Sequence, residues 1–173
     1  MKIQNLQRDL NKKIESSTEF VVGEAGEITD LNHEWQTVQL ENQYENPAIV
    51  VGPLSFNGRH ESTIRIRNVT SNSFDVRVQE WNYLDGWHTN ETASYAVVES
   101  GIHTLSDGTV IAAGVSSTGT SWQSLGFGHT FDTAPVVLSQ SLTEGESDAI
   151  VTRQRDVTSN GFSLRLQEEE ALG

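Results

Sequence analysis

An indole on the polar face of a strand is the side chain in this sequence best suited to hold a ligand. In residues 73–81 apolar and polar residues alternate, and the period of two places Trp81 on the polar face. A flat ring can pack against the C–H patches of a sugar while planar polar side chains bind its hydroxyl groups. The same ring could instead cover a sheet edge or fill a subunit interface.

The residues after Trp81 form the stretch richest in chemically useful side chains. Residues 82–91 hold two aromatic residues, one histidine and two acids. Such a loop contacts a ligand, lies in a subunit contact or only connects two strands. Arg65 and Arg67 also have two interpretations, because arginines outside a sandwich of so acidic a chain commonly pair with carboxylates across strands.

Patterns that would indicate catalysis are not found in the sequence. The five histidines share no motif, and there is no nucleophile elbow, zinc-protease helix or phosphate-cradling glycine loop. The absence of cysteine excludes a thiolate nucleophile or a thiolate zinc site. We therefore expect no enzyme, no cofactor and no metal site.

The chain contains an internal repeat. Residues 65–80 and 153–168 agree at ten of sixteen positions without a gap, at a distance of 88 residues. Upstream, a proline lies 27 residues before the phenylalanine of each copy. A repeat of this length is the size of a domain, so we divide the chain into a first copy over 19–104 and a second over 105–173.

Alternation with a period of two, with turn residues between the apolar runs, predicts an all-β protein of two tandem antiparallel β-sandwiches. The predicted strands lie near 19–24, 35–41, 47–53, 62–68, 73–81, 93–99, 109–114, 122–127, 135–142, 149–155 and 161–168. The second copy has no counterpart of strand 93–99, so it lacks an edge strand or another segment or subunit fills that place. Trp35 and Trp122 are expected to fill the two cores.

Residues 1–18 differ from the rest of the chain. Apolar residues recur there at helical spacing, at Ile3, Leu6, Leu10 and Ile14, and predict a short amphipathic helix. Such a helix either docks on its own domain or serves as an oligomerisation or anchoring segment.

Charge and hydropathy limit the partners and the location. The formal net charge of −13 repels a phosphate backbone, so we expect no nucleic-acid partner. No apolar run is long enough to insert into a membrane, and the N-terminus lacks the apolar stretch of a signal peptide.

The first copy contains the valine-rich run 46–51, the step NVTSNSF at 68–74 and the strand end VRVQEW at 76–81, and the second has matching runs at 134–137 and 156–162. Together these segments resemble the H-type lectin domain of snail agglutinins and the discoidin C-terminal domain. The resemblance covers most of 19–101 and of 109–170. It implies a six-stranded antiparallel β-sandwich, assembled as a trimer, that binds galactose or N-acetylgalactosamine near a subunit boundary.

The resemblance assigns candidate sugar-binding residues, and the first copy matches better than the second. The family's binding arginine falls on Arg65 and on Arg153. Its stacking aromatic residue falls on Trp81, whereas the second copy has Glu169.

At two further positions of the family's sugar site, this sequence has a different residue from the family. The family's aspartate falls near Asn57 in the first copy and near Gly145 in the second, and its histidine after the tryptophan is Asn82. An asparagine can still bond a hydroxyl group, but the substitution at Asn82 removes the basis for naming the monosaccharide.

The sequence therefore favours a non-catalytic, multivalent glycan-binding protein, extracellular or displayed on a surface. The alternative is a structural surface, fibre or virion-decorating protein that uses the same sandwich for trimeric assembly. The two differ in whether Arg65 and Trp81 line an accessible site in the assembled protein.

Overall fold

The computed structural model describes residues 21–145 and 147–168, and throughout these residues the regular structure is β. The prediction of an all-β, antiparallel fold is confirmed. The strands are β1 Gly23–Leu31, β2 Gln36–Gln39, β3 Pro47–Leu54, β4 Ser62–Arg67, β5 Ser73–Glu80, β6 Glu91–Glu99, β7 Gly101–Thr104, β8 Val110–Ala113, β9 Gln123–Gly126, β10 Ile150–Arg155 and β11 Gly161–Glu168.

The first copy is a six-stranded sandwich. One antiparallel sheet has the order β1-β6-β3 and the other the order β2-β5-β4. Burial alternates along β5, whose Phe74, Val76 and Val78 point inward. These side chains meet Ile49 and Val97 of the opposite sheet in one hydrophobic core.

The first strand starts later and runs further than the segment 19–24 predicted for it. β1 extends from Gly23 to Leu31 and pairs with β6 along most of its length. Its sequence, GEAGEITDL, is rich in acids and glycines and lacks an apolar run, so the pattern alone placed only its first two residues in a strand. Gly26 has a packing role, because a Cβ atom on it would lie 2.6 Å from the ring of Tyr95.

The second copy repeats one sheet of the first in full. The sheet β10-β11-β9 corresponds to β4-β5-β2, with the same antiparallel register. Its other half is reduced to the hairpin of β7 and β8. Residues 135–142, predicted as a strand, are not assigned as one, because no described strand lies beside them to complete the hydrogen-bond ladder.

The tryptophans Trp35 and Trp122 do not fill the cores, and that prediction is wrong. The guanidinium groups of Arg67 and Arg77 lie 3.9 and 4.7 Å from the ring centroid of Trp35. Arg155 and Arg165, their counterparts in the repeat, lie 4.2 and 5.4 Å from the ring centroid of Trp122. Each indole is held by cation–π contacts on the outer face of a sheet.

Two predictions fall partly or wholly outside this description. The helix predicted over 1–18 lies outside the described residues. The boundary between 19–104 and 105–173 stays a prediction; the β7–β8 hairpin spans it.

Among the described residues no helix has the length and apolar character needed to cross a membrane.

Candidate functional site

Arg65, the arginine that the resemblance assigns to sugar binding, lies between the two copies. It is on β4, on the face opposite the core, and is 1% exposed. Its Nη1 donates a 2.5 Å hydrogen bond to the main-chain oxygen of Asp148 in the second copy. Burial lowers the pKa of this guanidinium, because the charged form loses its hydration. In the single chain Arg65 therefore binds protein, not solvent.

The neighbouring arginines join the same contact. Glu144 accepts hydrogen bonds from Arg67 Nη1 at 2.8 Å and from Arg77 Nη2 at 3.1 Å. Arg67 also lies 3.6 Å from the carboxylate of Asp75, as the cross-strand interpretation expected. Hydrogen bonds from Thr37 and Asn68, with the charge of Arg67, lower the pKa of Asp75.

Asn82 is drawn into the same contact, and Trp81 lies beside it. Asn82 Nδ2 donates to Asp148 Oδ1 at 2.8 Å, and its Oδ1 accepts from the main chain of Ala149. Trp81 is partly exposed, and its backbone N–H donates to the main-chain oxygen of Glu61. The structure thus brings Arg65 and Asn82 to one segment of the second copy, residues 144–145 and 147–149.

Arg153, the counterpart of Arg65, is exposed. It faces Arg165 across the β10–β11 ladder. A shallow cleft of about 390 Å³ passes this side chain, with lining from Val137 to Ser139 and from Thr152 to Gln154. No described segment covers Arg153 as residues 144–145 and 147–149 cover Arg65.

Asn57 lies at one end of the first sandwich, where three loops meet: residues 32–35, 55–61 and 81–90. We call this end the loop end. Its backbone N–H donates to the carboxylate of Glu91, and its Nδ2 donates to the main-chain oxygen of Asn90 at 2.9 Å. Asn57 therefore joins two of the three loops.

The carboxylate of Glu91 organises the loop end. It is buried and accepts hydrogen bonds from Ser55 Oγ and from the main chain of Asn57 and Gly58. Burial opposes its ionisation, but the hydrogen bonds outweigh burial and lower the pKa of Glu91. The ionised carboxylate thus fixes the turn at 55–58.

Three histidines complete this network. The ring of His88 lies between Glu80 Oε1 at 2.9 Å and Glu91 Oε1 at 3.3 Å. His60 Nδ1 lies 3.0 Å from the same oxygen of Glu80, and His33 Nδ1 lies 3.0 Å from the main-chain oxygen of His88. These contacts connect the three loops of the loop end to one another and hold them rigidly in place.

One group at the loop end has the composition of a metal site. His60, Glu80 and Asp85 each place one ligand atom within 4.8 Å of the others. Glu80 Oε2 is buried and has no hydrogen-bond partner. Imidazole and carboxylate groups in this arrangement could hold a divalent cation.

Above this buried network the loop end presents aromatic side chains to solvent. Phe56 is 86%, Tyr83 61% and Trp87 59% exposed. The ring of Trp87 contacts that of His33, with 5.8 Å between the centroids. Exposed aromatic rings on fixed loops, beside amide groups such as that of Asn57, form a surface that can stack on a ligand and bond its polar groups.

Sequence reasoning found part of this surface. It singled out residues 82–91, which contribute Tyr83 and Trp87, but it missed Phe56. Phe56 precedes the Asn-Gly turn at 57–58, and an aromatic residue beside a turn signal, outside the period-two pattern of a strand, was the available indication.

Comparison with known proteins gives one similarity. No family model matches the chain, and no solved structure matches it. A segment of the protein named Halomucin from Haloquadratum walsbyi (strain DSM 16790 / HBSQ001) is 33% identical over 150 residues. The similarity covers 81% of this chain but only 2% of Halomucin, so the chain spans a small fraction of that protein's length.

Proposed function

We propose that this chain is a non-catalytic, carbohydrate-binding module, and that it binds glycans through the loop end of the first sandwich. The observation that carries the proposal is the exposure of Phe56, Tyr83 and Trp87 on loops fixed by a buried network. Exposed aromatic rings are costly in water, and a sugar covers them through its C–H faces. The resemblance to H-type lectins supports the same ligand class.

The proposed site at the loop end does not use all the residues that the resemblance assigns to sugar binding. Arg65 and Asn82 both donate hydrogen bonds to Asp148 of the second copy, so in this chain they support the fold of the site. Asn57 and Trp81 stay near the loop end and remain candidates for sugar contact. Arg153 is free for a second site, although the second copy has Glu169 where a stacking ring would be needed.

The ligand class follows from the resemblance and the surface together. Galactose and N-acetylgalactosamine glycans are the first ligands to test. A single shallow site binds a sugar weakly, so we propose that a homo-oligomer, a trimer by the resemblance, supplies avidity. The similarity to a segment of Halomucin supports a surface or extracellular location.

The test is a glycan array probed with the wild-type chain and with a Tyr83→Ala, Trp87→Ala variant. The matched control is Leu138→Ser, which removes an exposed apolar side chain in the second copy. Light scattering first shows that all three proteins have the same mass. Selective binding that the loop-end variant loses and the control retains supports the proposal; no binding by the folded wild type contradicts it.

A second candidate function is structural, and a specific observation favours it. The arginine face of the first copy is covered by residues 144–145 and 147–149 of the second, while among the described residues nothing covers the equivalent face around Arg153. A further copy could cover that face in the same way and extend the assembly head to tail. A concentration-dependent increase in mass that Arg153→Glu abolishes would support this function.

A further inference from the structure

Glu80 places a carboxylate at an inward position of a strand. Burial alternates along β5, so Glu80 continues the inward face of Phe74, Val76 and Val78. Its side chain is 1% exposed, whereas Glu168, its counterpart in the second copy, is exposed. A buried carboxylate is costly unless its oxygens are bonded and its charge is compensated. The groups around Glu80 therefore decide whether this position is stable.

One oxygen of the Glu80 carboxylate is bonded and the other is not. Oε1 lies 3.0 Å from His60 Nδ1 and 2.9 Å from His88 Nδ1. Oε2 is buried, and among the described residues it has no hydrogen-bond partner. An anionic oxygen that has lost its hydration and has gained no donor is a group that a bound cation would satisfy.

Two further ligand groups lie beside this carboxylate. One ring nitrogen of His60 and one carboxylate oxygen each of Glu80 and Asp85 lie within 4.8 Å of one another. Ligand atoms about 2.1 Å from a single ion lie about 3 to 4 Å apart, so a small movement brings the three groups to one ion. Asp85 can make this movement, because its side chain is exposed and lies in the loop between β5 and β6.

The backbone and His88 fix the two inner ligands. Ser62 pairs with Glu80 in the β4–β5 ladder, and the N–H of Trp81 donates to the main-chain oxygen of Glu61, which continues the pairing toward His60. His88 holds the Glu80 carboxylate from the other side, as outer partners of metal ligands do. His60 and Glu80 are 20 residues apart in the sequence, so no metal-ligand motif was there to predict the group.

We propose that His60, Glu80 and Asp85 bind one divalent transition-metal ion at the loop end. Imidazole and carboxylate ligands together suit Zn²⁺ and related ions, whereas Ca²⁺ and Mg²⁺ prefer a larger number of oxygen ligands. In the neutral tautomer with its proton on Nε2, His60 presents the Nδ1 lone pair to the ion. Three protein ligands leave a coordination position for water.

The ion ties the loop between β5 and β6 to the sheet. Asp85 lies in the sequence between Tyr83 and Trp87, whose rings are exposed. Asp85 Oδ1 also accepts a hydrogen bond from the N–H of Trp87 at 3.0 Å, so a ligated Asp85 fixes the backbone that carries Trp87. Metal binding is therefore expected to order the exposed rings of this loop.

The test is isothermal titration calorimetry of the chelator-treated full chain with Zn²⁺. We expect one saturable site per chain at physiological ionic strength, which screens loose binding to surface acids. Asp85→Asn and His60→Gln should each weaken binding at least about tenfold. Asp85→Asn keeps a side-chain oxygen that accepts from the N–H of Trp87, so the hydrogen bond within the loop is preserved.

Two substitutions in the second copy are the matched controls. Asp132→Asn alters an exposed aspartate, and His129→Gln alters a partly exposed histidine outside the site. Both should bind Zn²⁺ as the wild type does. Circular dichroism shows whether all four variants are folded.

The indole N–H resonance of Trp87 then locates the ion. Zn²⁺ should shift this resonance in the wild type but not in Asp85→Asn, and it should leave the Trp122 resonance unchanged. Absence of saturable Zn²⁺ binding by the folded chain overturns the proposal. Binding that the two ligand variants retain, that the controls lose equally, or that an equal concentration of Ca²⁺ displaces also overturns it.

The metal site does not rest on the proposed glycan binding. The titration contains no sugar, so its failure leaves the glycan proposal unchanged. Equally, a glycan array without binding leaves the metal site unchanged.

Discussion

Arg65 and Arg153 occupy the same position of the two copies, yet one is buried and the other exposed. Arg65 donates to the main-chain oxygen of Asp148, whereas no described segment covers the sheet face on which Arg153 lies. The sequences around the two agree at ten of sixteen positions, both arginines included, so their difference arises from the covering segment, residues 144–145 and 147–149. One residue type therefore has a structural role in the first copy and is available for contact in the second.

This difference predicts unequal effects on stability. Arg65→Ala removes a charge-assisted hydrogen bond and buried side-chain packing, and we expect the free energy of unfolding to fall by about 2 kcal/mol. Arg153→Ala, at an exposed site, should change it by less than about 0.5 kcal/mol. Urea unfolding of the two variants measures the difference. Equal effects would show that the contact with Asp148 contributes nothing.

The ionised carboxylate of Glu91 predicts a loss of stability in acid. Hydrogen bonds lower its pKa in the folded state below the ordinary value of 4.5, so the folded state holds the charged form more strongly than the unfolded state does. Its contribution is complete above about pH 4.5 and is lost as the pH falls through the folded pKa. Glu91→Gln should cost about 2 kcal/mol at pH 7, and this difference should shrink in acid.

Unfolding in urea at a series of pH values checks this behaviour. Glu27→Gln, on the exposed side of β1, is the matched control. A difference between wild type and Glu91→Gln that stays constant down to pH 3 would contradict the role of the ionised carboxylate.

Tyr44 predicts a second loss of stability in alkali. Burial and the nearby charge of Glu24 raise the pKa of Tyr44 to about 12 from an ordinary value of 10. Because the folded pKa is the higher one, the contribution to stability is present below pH 10 and is lost as the pH rises toward 12. A spectrophotometric titration should show one phenol ionising near pH 12 that is missing in Tyr44→Phe. Complete ionisation of all phenols in the folded wild type by pH 11 would be inconsistent with this.

Gly58 is predicted to be required for the shape of the loop end. A Cβ atom on Gly58 would lie 2.7 Å from the ring of His88, which cannot yield because it is buried between Glu80 and Glu91. We expect Gly58→Ala to lower stability by about 1 to 3 kcal/mol and to weaken glycan binding. Gly119→Ala, where a Cβ atom meets nothing within 4 Å, is the control and should have little effect on either.

Local patterns determined what the sequence could predict. The alternation of Phe74, Val76 and Val78 defines an inward face, and the repeat of that pattern defines the second copy. β1 was placed only in part, because its acids and glycines gave no apolar alternation. Its pairing with β6 is a contact between distant parts of the chain.

The candidate site was harder to predict because long-range contacts decide which polar residues are accessible. Nothing local to Arg65 indicates that Asp148, 83 residues further along the chain, accepts its hydrogen bond. Trp35 and Trp122 were expected in the cores because they occupy corresponding positions in the two copies. An alternation with a period of two, however, predicts whether a side chain points inward or outward only within a strand. Neither tryptophan lies in one, and each instead contacts two arginines of its own sheet.

Glycan binding at the loop end can be followed through the indole N–H resonances of the four tryptophans of the chain. Trp81 and Trp87 report on the loop end, and Trp122 reports on the second copy. Trp35 is the last residue of the loop 32–35, but its ring packs against Arg67 and Arg77 and so reports on the arginine face. With an array-selected glycan added to the isotope-labelled chain, we predict a saturable shift of the Trp87 resonance, with Trp35 and Trp122 unchanged. Shifts confined to Trp122, or no shift at any indole under conditions of demonstrated binding, would contradict glycan binding at the loop end.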